Sequence, residues 1–451
     1  MIPVVTPSEM AAIDRDAPEG VEVLVARAGE AVAAAAVDMM GGTYGRRVLV
    51  VAGKGNNGAD GRYAAARLAR RGVRVEVVDA ADPPDRLPDN LDLVVDAAYG
   101  TGFRGEYQAP DPHGVPVLAV DIASGVDGLT GGAGPGAVRA DRTVTFAALK
   151  PGLLIGPGRE LAGRIDVVDI GLDMSGAAIH VVEWEDVDGW VVRRLPDTHK
   201  WRTAVWVVAG SPGMTGAAHL AARAAMRAGA GMVGLGIPGV APAPPFLEIV
   251  GRSLPGEGWD ADVVADLPRA RALVVGPGLG REVATVDAVR RLVAVATPPL
   301  VVDADGLYAL GSAEEAAAVA GGRGAPTVLT PHDGEYERLA GHRPGPDRIA
   351  AARDLAARTR CTVLLKGSTT VVADPSGAVL VSTEGDERLA TAGTGDVLAG
   401  VVGAYLAQGL DGLQAAAGAA FVHGRAGHLG WRHGLVAGDL LELLPAVLDR
   451  H

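Results

Sequence analysis

Short runs of β-branched residues alternate with glycine turns and alanine-rich stretches along two separate blocks of this sequence. In the first block the predicted strands are Val48–Ala52, Val73–Val78, Leu91–Asp96, Val115–Asp121 and Thr143–Ala147. In the second block they are Ala204–Ala209, Ala272–Gly276, Leu300–Asp303, Thr327–Thr330, Val363–Lys366 and Thr370–Ala373. Strands that alternate with helical stretches require crossover connections and form largely parallel sheets. The pattern therefore predicts two α/β domains.

The length and composition agree with this prediction. A chain of 451 residues exceeds a typical single core. Its 64 glycines and only 4% aromatic residues suit layers in which helices lie close on sheets. Between the blocks, near Val181–Thr198, the pattern becomes irregular, with acids, tryptophans and a proline. We place the junction there and predict domains at residues 1–190 and 198–448.

Charge and cysteine content limit the partners and the compartment. The net charge of −13 argues against a nucleic-acid partner, because phosphate backbones require a basic surface. The single cysteine, Cys361, lies in an apolar run and is expected in the core. Because it is the only cysteine in the sequence, a disulfide framework is excluded. The amino terminus does not resemble a signal peptide, and no apolar run is long enough to cross a bilayer. We therefore expect a cytoplasmic protein with no membrane partner.

A glycine-rich segment, Gly53–Gly61, directly follows the first strand of the first block and opens a helix. Glycines let the backbone approach a ligand closely, and the free N–H groups of a helix start bind phosphate. The general dinucleotide pattern G-x-G-x-x-G is met by Gly53, Gly55 and Gly58, and Asp79 lies about 20 residues further on. A nicotinamide-dependent oxidoreductase is therefore one interpretation, although no hydride-acceptor pocket follows in the sequence.

Three more polar motifs end strands of this block. They are Asp96–Gly102, Asp121–Gly128 and the segment that ends in Lys150-Pro151-Gly152. Together with the Asn56-Asn57 pair, and in this order, they resemble the NAD(P)HX epimerase family over about residues 1–190. The resemblance implies a Rossmann-like three-layer α/β domain.

The resemblance also implies which residues form the site. A potassium ion would be held by Asn57, Asp96 and Ser124. The hydrated cofactor would contact Asn56, Asn57, Gly58, Ala59, Asp60, Gly100, Thr101, Gly102, Phe103, Arg104, Gly105, Glu106 and Asp121. Asp121 would be the catalytic acid/base, with Lys150 beside it. Ala59 and Ala123 depart from the family's glycine and proline; Ala59 is acceptable there only with a negative φ.

The second block contains a glycine-rich motif, Thr391–Asp396, in front of the apolar helical run Val397–Ala407. A helix start with glycines is an anion pocket, and Asp396 lies at its mouth. The accompanying motifs are Ala209–Ala217, Gly276–Gly280, Val302–Gly306, Thr330–Glu335 and Lys366–Thr370. As a set they resemble the ADP- or ATP-dependent NAD(P)HX dehydratase family, a branch of the ribokinase-like α/β fold, over about residues 198–448.

This second resemblance implies two groups of contacts. The adenine nucleotide would be held by Lys366, Gly367, Ser368, Thr369, Thr370 and Gly395. The hydrated nicotinamide would face Ala217, Gly278, Gly280, His332 and Asp396. Asp396 would deprotonate the hydrate hydroxyl, which attacks the terminal phosphate, and Mg²⁺ would balance the charge. Lys200-Trp201-Arg202 departs from the family's Lys-Gly, so the role of Lys200 stays open.

The sequence thus predicts a bifunctional repair enzyme for hydrated nicotinamide cofactors. It would epimerise R- and S-NAD(P)HX and then dehydrate the S-form to NAD(P)H, using ADP or ATP with release of phosphate. The expected partners are NADHX, NADPHX and ADP, and the resemblance implies a homo-oligomer. One alternative is a ribokinase-like small-molecule kinase with a non-catalytic cofactor-binding front domain. Another makes the front half a cofactor-sensing interaction module.

Overall fold

The protein is described by a computed structural model that covers residues 1–84, 87–192, 197–242 and 247–449. The chain divides into two compact units. The N-terminal unit spans Ile2–Ala178, and the C-terminal unit comprises Met1 and Ile179–His451. Among the described residues, no helix is long and apolar enough to span a membrane.

The N-terminal unit is built on a parallel six-stranded sheet. Its strands are β2 (Arg47–Ala52), β3 (Arg74–Asp79), β4 (Leu93–Ala97), β5 (Val117–Val120), β6 (Arg142–Phe146) and β7 (Arg164–Val168). They run in the order β3-β2-β4-β5-β6-β7. A short strand, β1 (Ile2–Val4), precedes them and bridges to the loop after β6 through Val4 and Leu149. Because all six strands are parallel, their carboxyl ends lie at one edge.

Four helices complete this unit: α1 (Pro7–Arg15), α2 (Val21–Met40), α3 (Asn56–Arg70) and α4 (Gly156–Leu161). Helix α2 buries Leu24, Ala28, Val32 and Ala36, a spacing of four residues that gives one apolar face. This face belongs to the same core as strand residues such as Val50 and Leu118. Helix α3 begins directly in the glycine-rich segment after β2, so its amino terminus lies at the carboxyl edge of the sheet.

The C-terminal unit contains a larger mixed sheet. Its strands are β8 (Ile179–Val181), β9 (Ala204–Val208), β10 (Met232–Pro238), β11 (Ile249–Leu254), β12 (Ala272–Val275), β13 (Leu300–Val302), β14 (Thr327–Leu329), β15 (Thr362–Leu365), β16 (Thr370–Ala373) and β17 (Val379–Ser382). Their order is β8-β17-β16-β15-β14-β13-β12-β9-β10-β11. Only β16 runs antiparallel to its two neighbours. Strands β9 and β12 to β15 are parallel, so their carboxyl ends meet at one edge.

The helices of this unit pack tightly because their facing residues are small. They are α5 (Trp184–Trp190), α6 (Thr215–Arg227), α7 (Asp260–Asp266), α8 (Val283–Val295), α9 (Asp305–Leu310), α10 (Ala313–Ala320), α11 (Asp333–Ala340), α12 (Arg348–Thr359), α13 (Thr394–Gln408), α14 (Gly412–Leu429) and α15 (Ala437–Leu448). Helix α13 is nearly all buried. A Cβ atom on Gly400 would come within 2.2 Å of the Ala221 carbonyl oxygen, so α13 can approach α6 this closely only with glycine.

All eleven predicted strands are present, each within about two residues of its predicted bounds. The division between the units falls after Ala178, whereas the sequence suggested a junction within residues 181–198. Strand β8 pairs with β17, and α5 packs on α14. Residues 179–190 therefore belong structurally to the second unit. Part of the suggested junction, residues 193–196, lies outside the described residues.

Candidate active sites

A cleft of about 990 Å³ opens at the carboxyl edge of the N-terminal sheet. Parallel strands bring the loops that follow them together at this edge. Ten of the predicted residues line the cleft: Asn56, Asn57, Asp60, Gly100, Thr101, Gly102, Phe103, Arg104, Asp121 and Lys150. Four predicted contacts are not among the lining residues, namely Gly58, Ala59, Gly105 and Glu106. Ala59 lies inside α3 and is not among the described residues with positive φ, so its departure from glycine is accommodated.

The centre of this cleft is a lysine–aspartate pair. The Nζ atom of Lys150 lies 2.6 Å from Oδ1 of Asp121 and also donates to Thr145 Oγ1 and the Phe146 carbonyl. The Thr145 hydroxyl donates to the same Asp121 oxygen at 3.0 Å. Asp121 holds a φ of 66°, a left-handed conformation that aspartate tolerates better than most residues. Lys150 is fully buried, so its charge is compensated only inside the protein.

Two further carboxyl groups line the same cleft. Asp60 is buried at the start of α3; burial, together with the negative charges of Asp121 and Asp14, raises its pKa to about 8. Asp14, on α1, has a pKa raised by partial burial and by Asp121, with Lys150 opposing. Sequence reasoning missed Asp14 and Thr145. The sequence did contain a signal for Asp14, because it follows the helical spacing of Pro7, Met10 and Ala11 and so lies on the same face of α1.

Beneath the cleft lies a set of buried oxygen atoms. Asn57 is buried, and neither its amide oxygen nor its amide nitrogen has a hydrogen-bond partner. Asp96 is completely buried, which raises its pKa to about 6, and its carboxylate accepts the hydroxyl (2.7 Å) and backbone N–H (2.8 Å) of Ser124. The Ser124 hydroxyl oxygen also accepts the Tyr99 backbone N–H at 2.9 Å. The predicted potassium ligands Asn57, Asp96 and Ser124 thus lie at the ends of β2, β4 and β5.

The C-terminal unit has a second lysine–aspartate pair at the carboxyl edge of its sheet. Lys366, after β15, places Nζ 2.6 Å from Oδ1 of Asp303, after β13. The Thr330 hydroxyl, after β14, donates to the same oxygen at 2.7 Å. Asp303 is almost fully buried. The sequence singled out the segments that carry Asp303 and Thr330 without giving either residue a role.

Asp396 lies next to this pair, in the first turn of α13. The turn is possible because Gly393 adopts a φ of 88° at the helix start. Burial raises the pKa of Asp396 to about 6, with a further contribution from the charge of Asp303 and opposition from Lys366. A Cβ atom on Gly395 would lie 3.4 Å from Lys366 Nζ. The structure therefore brings Gly395, Lys366 and Asp396 close together.

The other residues predicted to face the hydrated nicotinamide are Ala217, Gly278, Gly280 and His332. Ala217 and Gly278 face each other, because a Cβ on Gly278 would lie 3.1 Å from that of Ala217. The backbone N–H of Gly280 donates to Asp305 at 3.0 Å. His332 caps α11: its Nδ1 atom accepts from the backbone N–H groups of residues 334 and 335, while the ring stays exposed.

The predicted nucleotide segment, residues 366–370, is held by one side chain from outside it and one from within it. Arg348 on α12 donates to the Lys366 carbonyl at 2.7 Å. The Thr370 hydroxyl donates to the Gly367 carbonyl at 3.3 Å. Lys200 lies in a short turn before β9, so it is at the opposite sheet edge from Asp396. His423, interpreted from sequence as a helix-face or loop residue, is buried on α14; burial lowers its pKa to about 4.

The two halves of the chain match two known protein families. Residues 205–446 match the family described as NAD(P)H-hydrate dehydratase. Residues 21–92 and 81–152 match the family described as YjeF-related protein N-terminus. The bifunctional NAD(P)H-hydrate repair enzyme Nnr of Salinibacter ruber is 38% identical over 99% of this chain and 96% of its own length. The chain belongs to the family of bifunctional NAD(P)H-hydrate repair enzymes.

Solved structures agree for the C-terminal unit. The ADP/ATP-dependent NAD(P)H-hydrate dehydratase of Bacillus subtilis, co-crystallised with ATP/Mg²⁺, is 30% identical, with a TM-score of 0.50, covering 58% of this chain and 95% of that one. A ribokinase-like superfamily protein of Enterococcus faecalis has a TM-score of 0.52 at 20% identity, covering 60% of this chain and 96% of that one. The C-terminal unit therefore has the predicted ribokinase-like α/β fold. The family membership makes the chain an enzyme with an epimerase and a dehydratase domain.

Proposed function

We propose that this chain repairs hydrated NADH and NADPH in two steps, one at each site. The N-terminal site would interconvert the R- and S-hydrates, and the C-terminal site would dehydrate the S-form at the expense of ADP or ATP. The observation that carries the proposal is the pair of separate strand-end sites, each with an acid/base candidate beside a compensated lysine. We place the epimerase function in the N-terminal unit, Ile2–Ala178, and the dehydratase function in the C-terminal unit that begins at Ile179.

At the epimerase site, Asp121 is the proposed acid/base. The carbon that is inverted carries both the hydrate hydroxyl and the ring nitrogen, so protonation of this hydroxyl weakens its bond to carbon. Lys150 and Thr145 both contact Oδ1 of Asp121, which leaves Oδ2 for the substrate. Lys150 would fix the orientation of the carboxyl group toward the substrate.

The buried oxygen atoms beneath this site fit a potassium ion. Amide, carboxylate and hydroxyl oxygens are ligands of a hard cation, and a buried amide with no partner is costly unless something binds it. Asn57, Asp96 and Ser124 would hold the ion, and its charge would offset that of the buried Asp96. We expect the exchange Ser124→Ala to raise the K⁺ concentration that half-activates epimerisation. A K⁺ response equal to that of the unmodified protein would count against this site.

At the dehydratase site, Asp396 is the proposed base. It takes the proton of the hydrate hydroxyl, whose oxygen attacks the terminal phosphorus of the nucleotide and displaces AMP from ADP, or ADP from ATP. The phosphorylated hydrate then loses inorganic phosphate together with a ring proton, which restores the dihydropyridine. Lys366 and the N–H groups at the start of α13 would bind the negative charge of the transferring group. Residues 366–370 and Gly395 would hold the nucleotide, and Ala217, Gly278, Gly280 and His332 the hydrated ring.

Magnesium fits this site only as a companion of the nucleotide. Within the described residues, no group of three or more His, Cys, Asp or Glu side chains could hold a metal ion. Mg²⁺ is commonly bound by one or two carboxylates together with substrate phosphates. Asp396 and Asp303 are carboxylates close to Lys366, and the ion would neutralise phosphate charge there. Self-association and a cytoplasmic location stay predictions from the sequence.

A single assay tests the proposal. Purified protein is added to a mixture of NADHX epimers with K⁺, Mg²⁺ and either ADP or ATP, and reduced-nicotinamide absorbance is followed. Complete recovery that depends on the nucleotide is the expected result. A stable phosphorylated product without recovery would support the kinase alternative instead, and recovery that stops when one epimer is consumed would mean an inactive front site.

A further inference from the structure

The wall of the N-terminal cleft formed by α1 and α2 is apolar except at one position. The lining residues on these helices are Pro7, Met10, Ala11, Asp14, Val21, Leu24, Val25 and Ala28. In each helix they follow the spacing i, i+3, i+4, i+7, which places them on one face. Among them, Asp14 is the one charged side chain. Asp14 is open to solvent in the cleft, so it is the ionisable group that this wall presents to a bound ligand.

Helix α1 is held firmly against the reacting edge of the sheet. The backbone of Val5 donates to the Leu149 carbonyl, and the backbone of Leu149 donates to the Pro3 carbonyl, both at 2.9 Å. Leu149 directly precedes Lys150. A Cβ on Gly128 would lie 3.1 Å from the Pro7 ring, so the start of α1 also abuts the loop after β5. The position of Asp14 relative to Lys150 and Asp121 is therefore set by the fold.

Inversion of a hydroxyl-bearing carbon through loss and re-addition of water uses proton transfers on two faces. One group protonates the departing hydroxyl, and the other takes a proton from the water that adds to the opposite face. Asp121 is one group, on the sheet side of the cleft. We propose that Asp14, on the helix side, is the second proton-transfer group of the epimerase reaction. This inference rests on the epimerase function proposed above.

The step balances. Protonated Asp14 gives its proton to the hydroxyl, the C–O bond breaks, and water leaves with that electron pair, while the ring nitrogen forms a double bond to the carbon. Water then adds to the other face and gives one proton to Asp121. The original hydrate composition is restored with inverted configuration. In the reverse direction the two carboxyl groups exchange roles.

The charged surroundings of Asp14 agree with this role. The ionisable groups of the cleft that face it are Asp121, Asp60 and Lys150, with Lys54 and Arg104 also in the lining. Burial and Asp121 raise the pKa of Asp14, and Lys150 opposes them. Asp14 therefore keeps its proton to higher pH than an ordinary aspartate. Asp121, by contrast, is in direct contact with the Lys150 ammonium group at 2.6 Å.

The test uses the bifunctional chain as its own control. With mixed NADHX epimers and nucleotide, the fast phase reports dehydration of the S-form, and the slow phase reports epimerisation of the R-form. For Asp14→Asn we expect the slow phase to fall about 10²-fold with an altered pH profile, while the fast phase is unchanged. Asp14→Glu, which keeps a carboxyl group, should retain more of the slow phase. Asp16→Asn, two residues on at the exposed end of α1, is the matched control.

The outcomes are separable. A slow phase at the normal rate in Asp14→Asn overturns the proposal. So does a loss that is equal in Asp14→Asn and Asp14→Glu, or one due only to a higher KM with an unaltered pH profile, since these indicate packing or binding. If the unmodified protein itself shows no slow phase above spontaneous epimerisation, the proposed epimerase function fails, which is a different result.

Discussion

The two sites of this protein contain the same arrangement of a lysine, an aspartate and a threonine, but a different partner of the ion pair is buried in each. In each, a lysine Nζ lies 2.6 Å from an aspartate Oδ1 that also accepts a threonine hydroxyl. In the N-terminal site the lysine is the buried partner, with its side chain 2% exposed against 16% for Asp121. In the C-terminal site the aspartate is the buried partner, at 2% against 20% for Lys366.

This difference separates the roles of the two pairs. The exposed partner is the one that reaches a ligand, so the N-terminal pair presents a carboxylate to its cleft and the C-terminal pair presents an ammonium group. A carboxylate suits proton transfer at a hydrate carbon, whereas an ammonium group suits a nucleotide phosphate. The C-terminal site would therefore need a separate base, and Asp396 is the proposed one.

The largest expected effect is on the free energy of unfolding, when either partner of a lysine–aspartate pair is replaced. Removing one partner of a buried ion pair costs about 3–5 kcal/mol when the remaining charge stays buried. We therefore expect Asp121→Asn to destabilise the N-terminal unit more than Lys150→Met. In the C-terminal unit the order should reverse, with Lys366→Met costing more than Asp303→Asn. Denaturant unfolding of the four variants checks this.

Lys54→Met is the matched control for the lysine exchanges, since Lys54 lies exposed at the same cleft as Lys150. Its effect on the free energy of unfolding should stay within about 0.5 kcal/mol. The same order of effects in both units, rather than opposite orders, would contradict the assignment of the buried partners.

A second expected difference is in the pH dependence of stability. Burial raises the pKa of Asp60 to about 8 and that of Asp396 to about 6, both from an ordinary aspartate value of 3.8. A raised folded-state pKa means that the folded state binds more protons, so stability falls as pH rises through that window. The Asp60 contribution should be lost from about pH 4 to 8, and the Asp396 contribution only from about pH 4 to 6.

Unfolding of each unit, followed between pH 4 and 9, would test this. Asp60→Asn should flatten the dependence of the N-terminal unit between pH 6 and 8, and Asp396→Asn should leave that range unchanged. A slope between pH 6 and 8 that survives Asp60→Asn would show that another group titrates there.

The smallest expected effect concerns the acid limb of dehydration. Asp396 must be ionised to act as a base, so kcat/KM should fall below about pH 6. The negative charge of Asp305 contributes to the raised pKa of Asp396. Asp305→Asn should therefore shift the limb to lower pH. An unshifted limb would mean that Arg281, which pairs with Asp305 at 2.8 Å, already neutralises that charge.

Much of the fold was predictable, because buried parallel strands are short apolar runs that end in distinctive residues. The strand before Asp303 and the strand before Lys366 are examples, and motif order alone assigned the family. Six strands of the described residues were not predicted: β1, β7, β8, β10, β11 and β17. Strands β7 and β11 were missed because their sequences, Arg164–Val168 and Ile249–Leu254, mix charged and apolar residues. The regions between β3 and β4 and between β4 and β5 contain no helix among the described residues, although alternation predicted crossovers of that kind.

The sites were predictable where a residue belongs to a motif and not where its role depends on three-dimensional proximity. Asn57, Asp121 and Asp396 were named from their segments. The partners of these residues come from elsewhere in the chain. Thr145 meets Asp121 only because β5 and β6 are neighbours, and Asp14 reaches the cleft only because α1 is tied to Leu149. Pairing of this kind is not encoded in local spacing.

We propose that two independent sites act in series on one substrate. The most direct measurement is complementation between Asp121→Asn and Asp396→Asn on mixed NADHX epimers with nucleotide. We predict that Asp396→Asn alone recovers almost no reduced nicotinamide. Asp121→Asn alone should stop once the S-form is consumed, apart from spontaneous epimerisation, and the two together should restore complete recovery. Failure of the mixture to exceed Asp121→Asn alone would contradict the account.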